Sequence, residues 1–157
     1  MNRVLLALLM NLSIVSTCYG QADIQNNYNG GYLEGRSFAG QDLKQAKFYK
    51  ANLRGANFSG ANLRGASFFA ASMRNVNLQK TRLEDSELSN ADLRGAKMDQ
   101  AVLERAYLTA AKLKGVTIVG ADFTEVIIND EQKKYLCTLA SGTNKTTKRE
   151  TRKTLGC

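Results

Sequence analysis

Histidine, proline and tryptophan are all absent from this chain of 157 residues. The missing histidine weighs most, because it is the commonest general base and metal ligand near neutral pH. No glycine-rich phosphate loop and no metal-ligand spacing makes up for that loss. Glu84, Asp85 and Glu87 cluster, but beside Arg82 and Arg105 they read as a solvated, charge-balanced surface. The expectation is a protein that is not an enzyme, with no catalytic residues, no cofactor and no metal. Acid is also scarce relative to base: 22 Lys/Arg against 14 Asp/Glu leave a formal charge of +8. Residues 131–157 hold seven Lys/Arg against two acids, so most of the excess lies in the tail. An excess of this size points to anionic partners. At this length one domain is expected.

What is abundant is a period of five. Reading every fifth residue from Leu33 gives Leu33, Phe38, Leu43, Phe48, Leu53, Phe58, Leu63, Phe68, Met73 and Leu78. The series continues as Leu83, Leu88, Leu93, Met98, Leu103, Leu108, Leu113, Ile118, Phe123 and Ile128. Twenty positions stay in register without a polar residue or an insertion. Two residues before each runs a second column, mostly alanine, from Ala46 to Ala71 and again from Ala91 to Ala111. A helix needs apolar spacings near 3.6 and a lone strand needs two, so a strict five fits neither. Inward residues two apart suit a short strand, and the two outward residues that follow require a turn. Short strands and turns repeated many times make a solenoid. Gly35, Gly40, Gly55 and Gly60 fall two residues after a large inward residue, where the corner would bend.

In units such as Ala51-Asn52-Leu53, Ala61-Asn62-Leu63, Ala91-Asp92-Leu93 and Ala121-Asp122-Phe123, the chain resembles a pentapeptide repeat protein. That family's motif reads Ala-(Asp/Asn)-Leu-x-x. The resemblance implies an all-β solenoid, a right-handed quadrilateral β-helix with four units per coil. Twenty units then make about five coils, a column about 24 Å tall at the usual strand spacing. Residues twenty apart would stack, Phe38 over Phe58 and Phe48 over Phe68, with leucines on the faces between. Arg36 and Gln41 occupy the small inward column of the first coil, which is therefore expected to be distorted or open to solvent.

The ends read differently. Residues 1–20 have the form of a signal peptide: Arg3, an apolar core from Val4 to Val15, and Cys18-Tyr19-Gly20 before a cleavage point. The core is short for a membrane span and carries Asn11, so no transmembrane segment is expected after its removal. A lipoprotein attached through Cys18 is the lesser alternative, because Thr17 fits poorly before such a cysteine. Residues 21–32 form a lead-in, 33–128 the repeats, and 129–157 a tail. Losing Cys18 leaves Cys137 and Cys157, and an even pair in an exported protein argues for a disulfide. Asn129-Asp130-Glu131-Gln132 reads as a capped helix start, with Tyr135, Leu136, Leu139 and Ala140 as an apolar stripe and Gly142 as a stop. This short α-helical cap would cover the open end of the solenoid. Leu136-Cys137, Asn144 and Leu155-Gly156-Cys157 resemble the disulfide-held ends of periplasmic and thylakoid-lumen members of the family.

Two outward arrays follow from stacking by twenty. Arg54, Arg74, Arg94 and Lys114 form a basic column, read either as side chains splayed into water or as an anion-binding stripe. Tyr49 over Phe69, with Tyr107 further along, forms an aromatic contact patch. The functional expectation is a periplasmic or secreted scaffold or binding module, a monomer, that presents these columns to a protein or an anionic envelope component. The alternative comes from cytoplasmic members that mimic duplex DNA and modulate DNA gyrase. That mechanism needs a negative surface in place of phosphates, and both the basic charge and the signal peptide oppose it. Direct nucleic-acid binding is favoured by charge and opposed by compartment.

Overall fold

The computed structural model describes residues 26–157. The expected signal peptide, its cleavage point and the beginning of the lead-in lie outside the described residues. Within them the period of five converts directly into geometry. Parallel bridges join residues twenty apart without interruption, from Asn27 with Lys47 to Tyr107 with Ile127. Turns every five residues and stacking every twenty give each coil four sides.

A single side shows why the pattern holds. Leu33 N–H donates to the Asn52 carbonyl at 2.7 Å, and Gly35 N–H donates to the Arg54 carbonyl at 2.8 Å. Asn52 N–H returns to the Gly31 carbonyl at 2.8 Å. Backbone groups tie each coil to the next, as parallel ladders require, so most outward side chains are free to vary. The corner closes when Arg36 N–H donates to the Leu33 carbonyl at 3.1 Å. Its third residue, Gly35, has φ +66°, as a type II turn demands. Eleven of these corners carry a side chain instead, Ala70 (φ +56°) and Ala110 (φ +57°) among them. An L residue pays about 1–2 kcal/mol in that region. Ala110→Gly should therefore raise the melting temperature by about 2–4 °C, and Gly55→Ala should lower it. A Cβ added at Gly55 meets nothing within 4 Å, so its cost comes from the backbone alone. Thermal melts followed by circular dichroism check both signs.

We label the sides by their inward columns. Side A carries Tyr28, Phe48, Phe68, Leu88 and Leu108, and side B carries Leu33, Leu53, Met73, Leu93 and Leu113. Side C carries Phe38, Phe58, Leu78, Met98 and Ile118, and side D carries Leu43, Leu63, Leu83, Leu103 and Phe123. All of these are buried except Tyr28, which is partly so. Phe38 stacks on Phe58 with centroids 4.7 Å apart, and Phe48 on Phe68 at 4.9 Å. The two stacks meet edge to face across the core, Phe48 against Phe58 at 5.5 Å and 88°. Such pairs add about 0.5–1.5 kcal/mol each beyond simple burial. The small column leaves them room: Ala46, Ala51, Ala56, Ala61 and Ala66 have no exposed surface.

The first coil is not distorted. Ser37 and Asp42 pair with Asn57 and Asn62 in the common register, and the ladder reaches back to Asn27, inside the segment read as a lead-in. Tyr28 extends the side A stack, 4.7 Å below Phe48. Arg36 and Gln41 simply remain outside, with the Arg36 guanidinium 5.2 Å from the Phe38 ring. A cation over an aromatic face keeps its hydration and covers the ring.

After the repeats come two helices. α1 spans Asp130–Leu139, capped as expected: the Asn129 side chain accepts from Gln132 N–H, and the Gln132 side chain accepts from Asn129 N–H. Its last residue, Leu139, lies three before Gly142, and the extended backbone of Ala140 (φ −63°, ψ 119°) ends the helix without glycine. α2, Thr151–Leu155, was not foreseen; Gly156 closes it in the left-handed region at φ +65°. The sulfurs of Cys137 and Cys157 are bonded and join the two helices.

Candidate interaction surface and the disulfide-held end

An open solenoid end leaves backbone donors and acceptors without a coil to bind. In this chain the segment after the repeats supplies partners for several of them. Tyr135 Oη accepts from Gly115 N–H at 2.8 Å, and the Ser141 carbonyl accepts from Gly120 N–H at 2.8 Å. Thr154 Oγ1 accepts from Phe123 N–H at 3.1 Å. Gln132, already the capping residue of α1, donates to the carbonyls of Leu108 (2.8 Å) and Ala111 (3.0 Å). Asn144 is the hub. Fully buried, it donates to the Gly120 carbonyl at 2.8 Å, and its Oδ1 accepts from Thr146 and Thr147 N–H at 2.9 and 3.0 Å.

Side D anchors the same segment electrostatically. Arg149 reaches Glu104 at 2.9 Å and Asp122 at 3.4 Å; Glu104 also pairs with Arg105, and Arg105 with Asp85. Burial pushes the Asp122 carboxyl up, but hydrogen bonds from the Thr124 hydroxyl and N–H, with the nearby Thr147 hydroxyl and Arg149 charge, outweigh it and hold the group below the usual carboxylate range. A depressed folded pKa stabilises above the unfolded value and is lost as pH falls through the folded one. This anchor is therefore intact at neutral pH and weakens only in acid.

Sequence reasoning did not find the roles of Asn144, Thr154 and Arg149, because their partners lie 24 to 45 residues away. The one available signal was Asn144, a polar residue within the tail pattern that resembled other family members.

The outward arrays are only partly as expected. Arg54, Arg74, Arg94 and Lys114 do stack on side B. However, Asp92 stands between Arg74 and Arg94 and binds both at 2.6 Å. Among the described residues neither Arg54 nor Lys114 has a carboxylate partner, so the free charge sits at the two ends of the column. Tyr49 and Phe69 stack on side A, 5.9 Å apart and 13° from parallel. Tyr107 does not join them. It lies on the same side in the other outward column, where it pairs with Ile127 instead. All four are exposed.

A four-sided parallel solenoid with ordered outward columns belongs to a class of repeat proteins that present surfaces. The comparisons with known proteins make this specific. A family model described as a pentapeptide repeat region matches residues 41–123, more than half of the chain. A pentapeptide repeat protein of the Arabidopsis thaliana thylakoid lumen, known from its crystal structure, superposes with a TM-score of 0.80. The two are 40% identical, and the match covers 88% of this chain and 94% of that one. HetL, a pentapeptide repeat protein involved in heterocyst differentiation regulation in the cyanobacterium Nostoc, gives a TM-score of 0.54 at 29% identity, covering 64% of this chain and 46% of its own. The thylakoid lumenal 15 kDa protein 1 of Arabidopsis thaliana is 54% identical over 43 residues, 27% of this chain. That stretch spans only 19% of the relative's length. The chain belongs to the pentapeptide repeat family, whose members are right-handed quadrilateral β-helices and in general structural or binding proteins.

Proposed function

We propose that the chain is an exported, non-enzymatic binding module. In this reading residues 1–20 are removed after Gly20, a lead-in runs to residue 32, and residues 33–128 form about five coils. Residues 129–157 are a disulfide-closed helical cap that blocks stacking by another copy, leaving a monomer whose four sides face a partner in the periplasm or outside the cell. The observation that carries it is the unbroken register of outward columns on a backbone-tied ladder. A disulfide and a similar protein of the thylakoid lumen support export. The cationic column opposes DNA mimicry, which requires negative charge.

The partner carries anionic groups and is met by side B through Arg54 and Lys114, with Arg74 and Arg94 restrained by Asp92. Retention of partners from periplasmic extract on immobilised protein, read across a salt series, tests this. Arg54→Glu/Lys114→Glu should cut retention at least about fivefold, and Asp92→Asn should raise it by releasing two arginines. Retention unchanged in both variants would leave the column as a solvated face.

A further inference from the structure

The four sides are not equivalent in charge. Sides C and D, including their corners and Arg36, hold seven basic and seven acidic residues, many of them paired on side D. Sides A and B hold seven basic against three acidic: Lys47 and Lys50 on A, five cations on B, and only Glu34, Glu87 and Asp92 against them. By side the tally is −2 on D, +2 on C, +1 on A and +3 on B, so charge sets side D apart and leaves A and B together with +4. The exposed apolar side chains lie there too. Of the six large ones among the described residues, Tyr32, Tyr49, Phe69, Tyr107 and Ile127 are on sides A and B, and Val119 is on side C. Lys50 stands at the corner where the two sides meet, its Nζ 5.0 Å from the Tyr49 ring.

We infer that this A/B edge docks on an anionic lipid surface, an inference that rests on the binding-module reading above. Along the edge a column of cations on side B stands beside exposed aromatics on side A, the combination that settles in a bilayer's headgroup region. Each Lys or Arg near such a surface attracts it independently. The ladder repeats at the strand spacing of about 4.8 Å, so the free cations at the two ends of the edge, Lys50 and Arg54 low and Lys114 high, meet a plane at once without reorganising. A protein hot spot would gather its aromatics in a desolvated pocket; here the exposed Tyr49–Phe69 pair lies low on the side, and Tyr107 with Ile127 lies high, all in contact with solvent. No helix among the described residues is long and apolar enough to cross a membrane, so the contact is peripheral.

The test uses the chain without residues 1–20, whose apolar run would itself bind lipid, and retains every described residue. It is sedimented with vesicles of mixed phosphatidylcholine and phosphatidylglycerol, or of phosphatidylcholine alone. Binding is expected only to the anionic vesicles and should weaken with salt. Lys50→Ala/Arg54→Ala/Lys114→Ala should lose about a hundredfold, at about fivefold per cation, whereas Lys44→Ala/Lys80→Ala/Lys97→Ala should stay within about threefold. Because the chain has no tryptophan, Phe69→Trp gives a single reporter whose emission should shift to the blue on anionic vesicles, while Val119→Trp should not respond. Equal losses in the two triple variants, or a reporter response at Val119→Trp equal to that at Phe69→Trp, overturn the inference. So does failure of the unaltered chain to bind anionic vesicles; retention of a periplasmic protein in that case would leave the binding module standing with a protein partner instead.

Discussion

Leu63→Lys should fail to fold, whereas Arg64→Ala should fold and melt within a few degrees of the unaltered chain. The two positions are neighbours, but the period of five sends one inward and the other outward. Leu63 is fully buried in side D, between Leu43 and Leu83. A lysine there would bury an ammonium with no carboxylate inside the coil, at a cost of several kcal/mol out of roughly 5–15 available. Arg64 pairs with Glu84 at 3.1 Å, and its side chain is 42% exposed. Exposed pairs are worth about 0–1 kcal/mol, and Glu84 keeps Arg82 when Arg64 is removed. Far-ultraviolet circular dichroism during heating reads both variants. Equal melting temperatures would overturn the inward assignment.

Asn144→Leu should destabilise the C-terminal segment by about 3–5 kcal/mol, an effect far larger than its distance from the core ladder suggests. Leucine has the same branching and number of heavy atoms, though its methyls are bulkier, and it makes no hydrogen bonds. The Gly120 carbonyl loses its 2.8 Å donor, and the Thr146 and Thr147 N–H groups lose their acceptor. Each polar group left buried and unpaired costs about 1–3 kcal/mol. Asn144→Asp should be little better, since it restores the acceptor and puts a charge where the donor was. Hydrogen exchange should show amides of residues 141–157 opening before those of the coils. A loss below about 1 kcal/mol by chemical denaturation would mean that the segment rests on α1 and the disulfide alone.

These two positions also show how far the sequence could be read. Leu63 was assigned inward from spacing alone, because twenty identical steps make a local rule global: a residue's neighbour above is always twenty positions on. The same arithmetic placed Phe38 over Phe58 and Phe48 over Phe68. It failed wherever the pattern stops being periodic. Asn144 bonds to Gly120, 24 residues earlier, and Arg149 bonds to Glu104, 45 residues earlier; no repeat encodes either distance. The stacking of the basic column followed from the period, but which of its cations Asp92 would hold did not. Asp92 sits one residue before Leu93 and is thereby set between Arg74 and Arg94, which turns four free cations into two free and two shared. The first coil was expected to be distorted or to open onto solvent, because Arg36 and Gln41 fall in the small inward column; both side chains are exposed. At an open end the side chain leaves the core instead, and backbone pairing proceeds unchanged.

The central claim, an exported module with a disulfide-closed end, is tested most directly by the intact mass of the protein recovered from the periplasm of a bacterial host. The account predicts a chain of residues 21–157, lighter than its reduced form by the two hydrogens of one Cys137–Cys157 bond. A chain that keeps residues 1–20, remains in the cytoplasm and titrates with free thiols at Cys137 and Cys157 would contradict it.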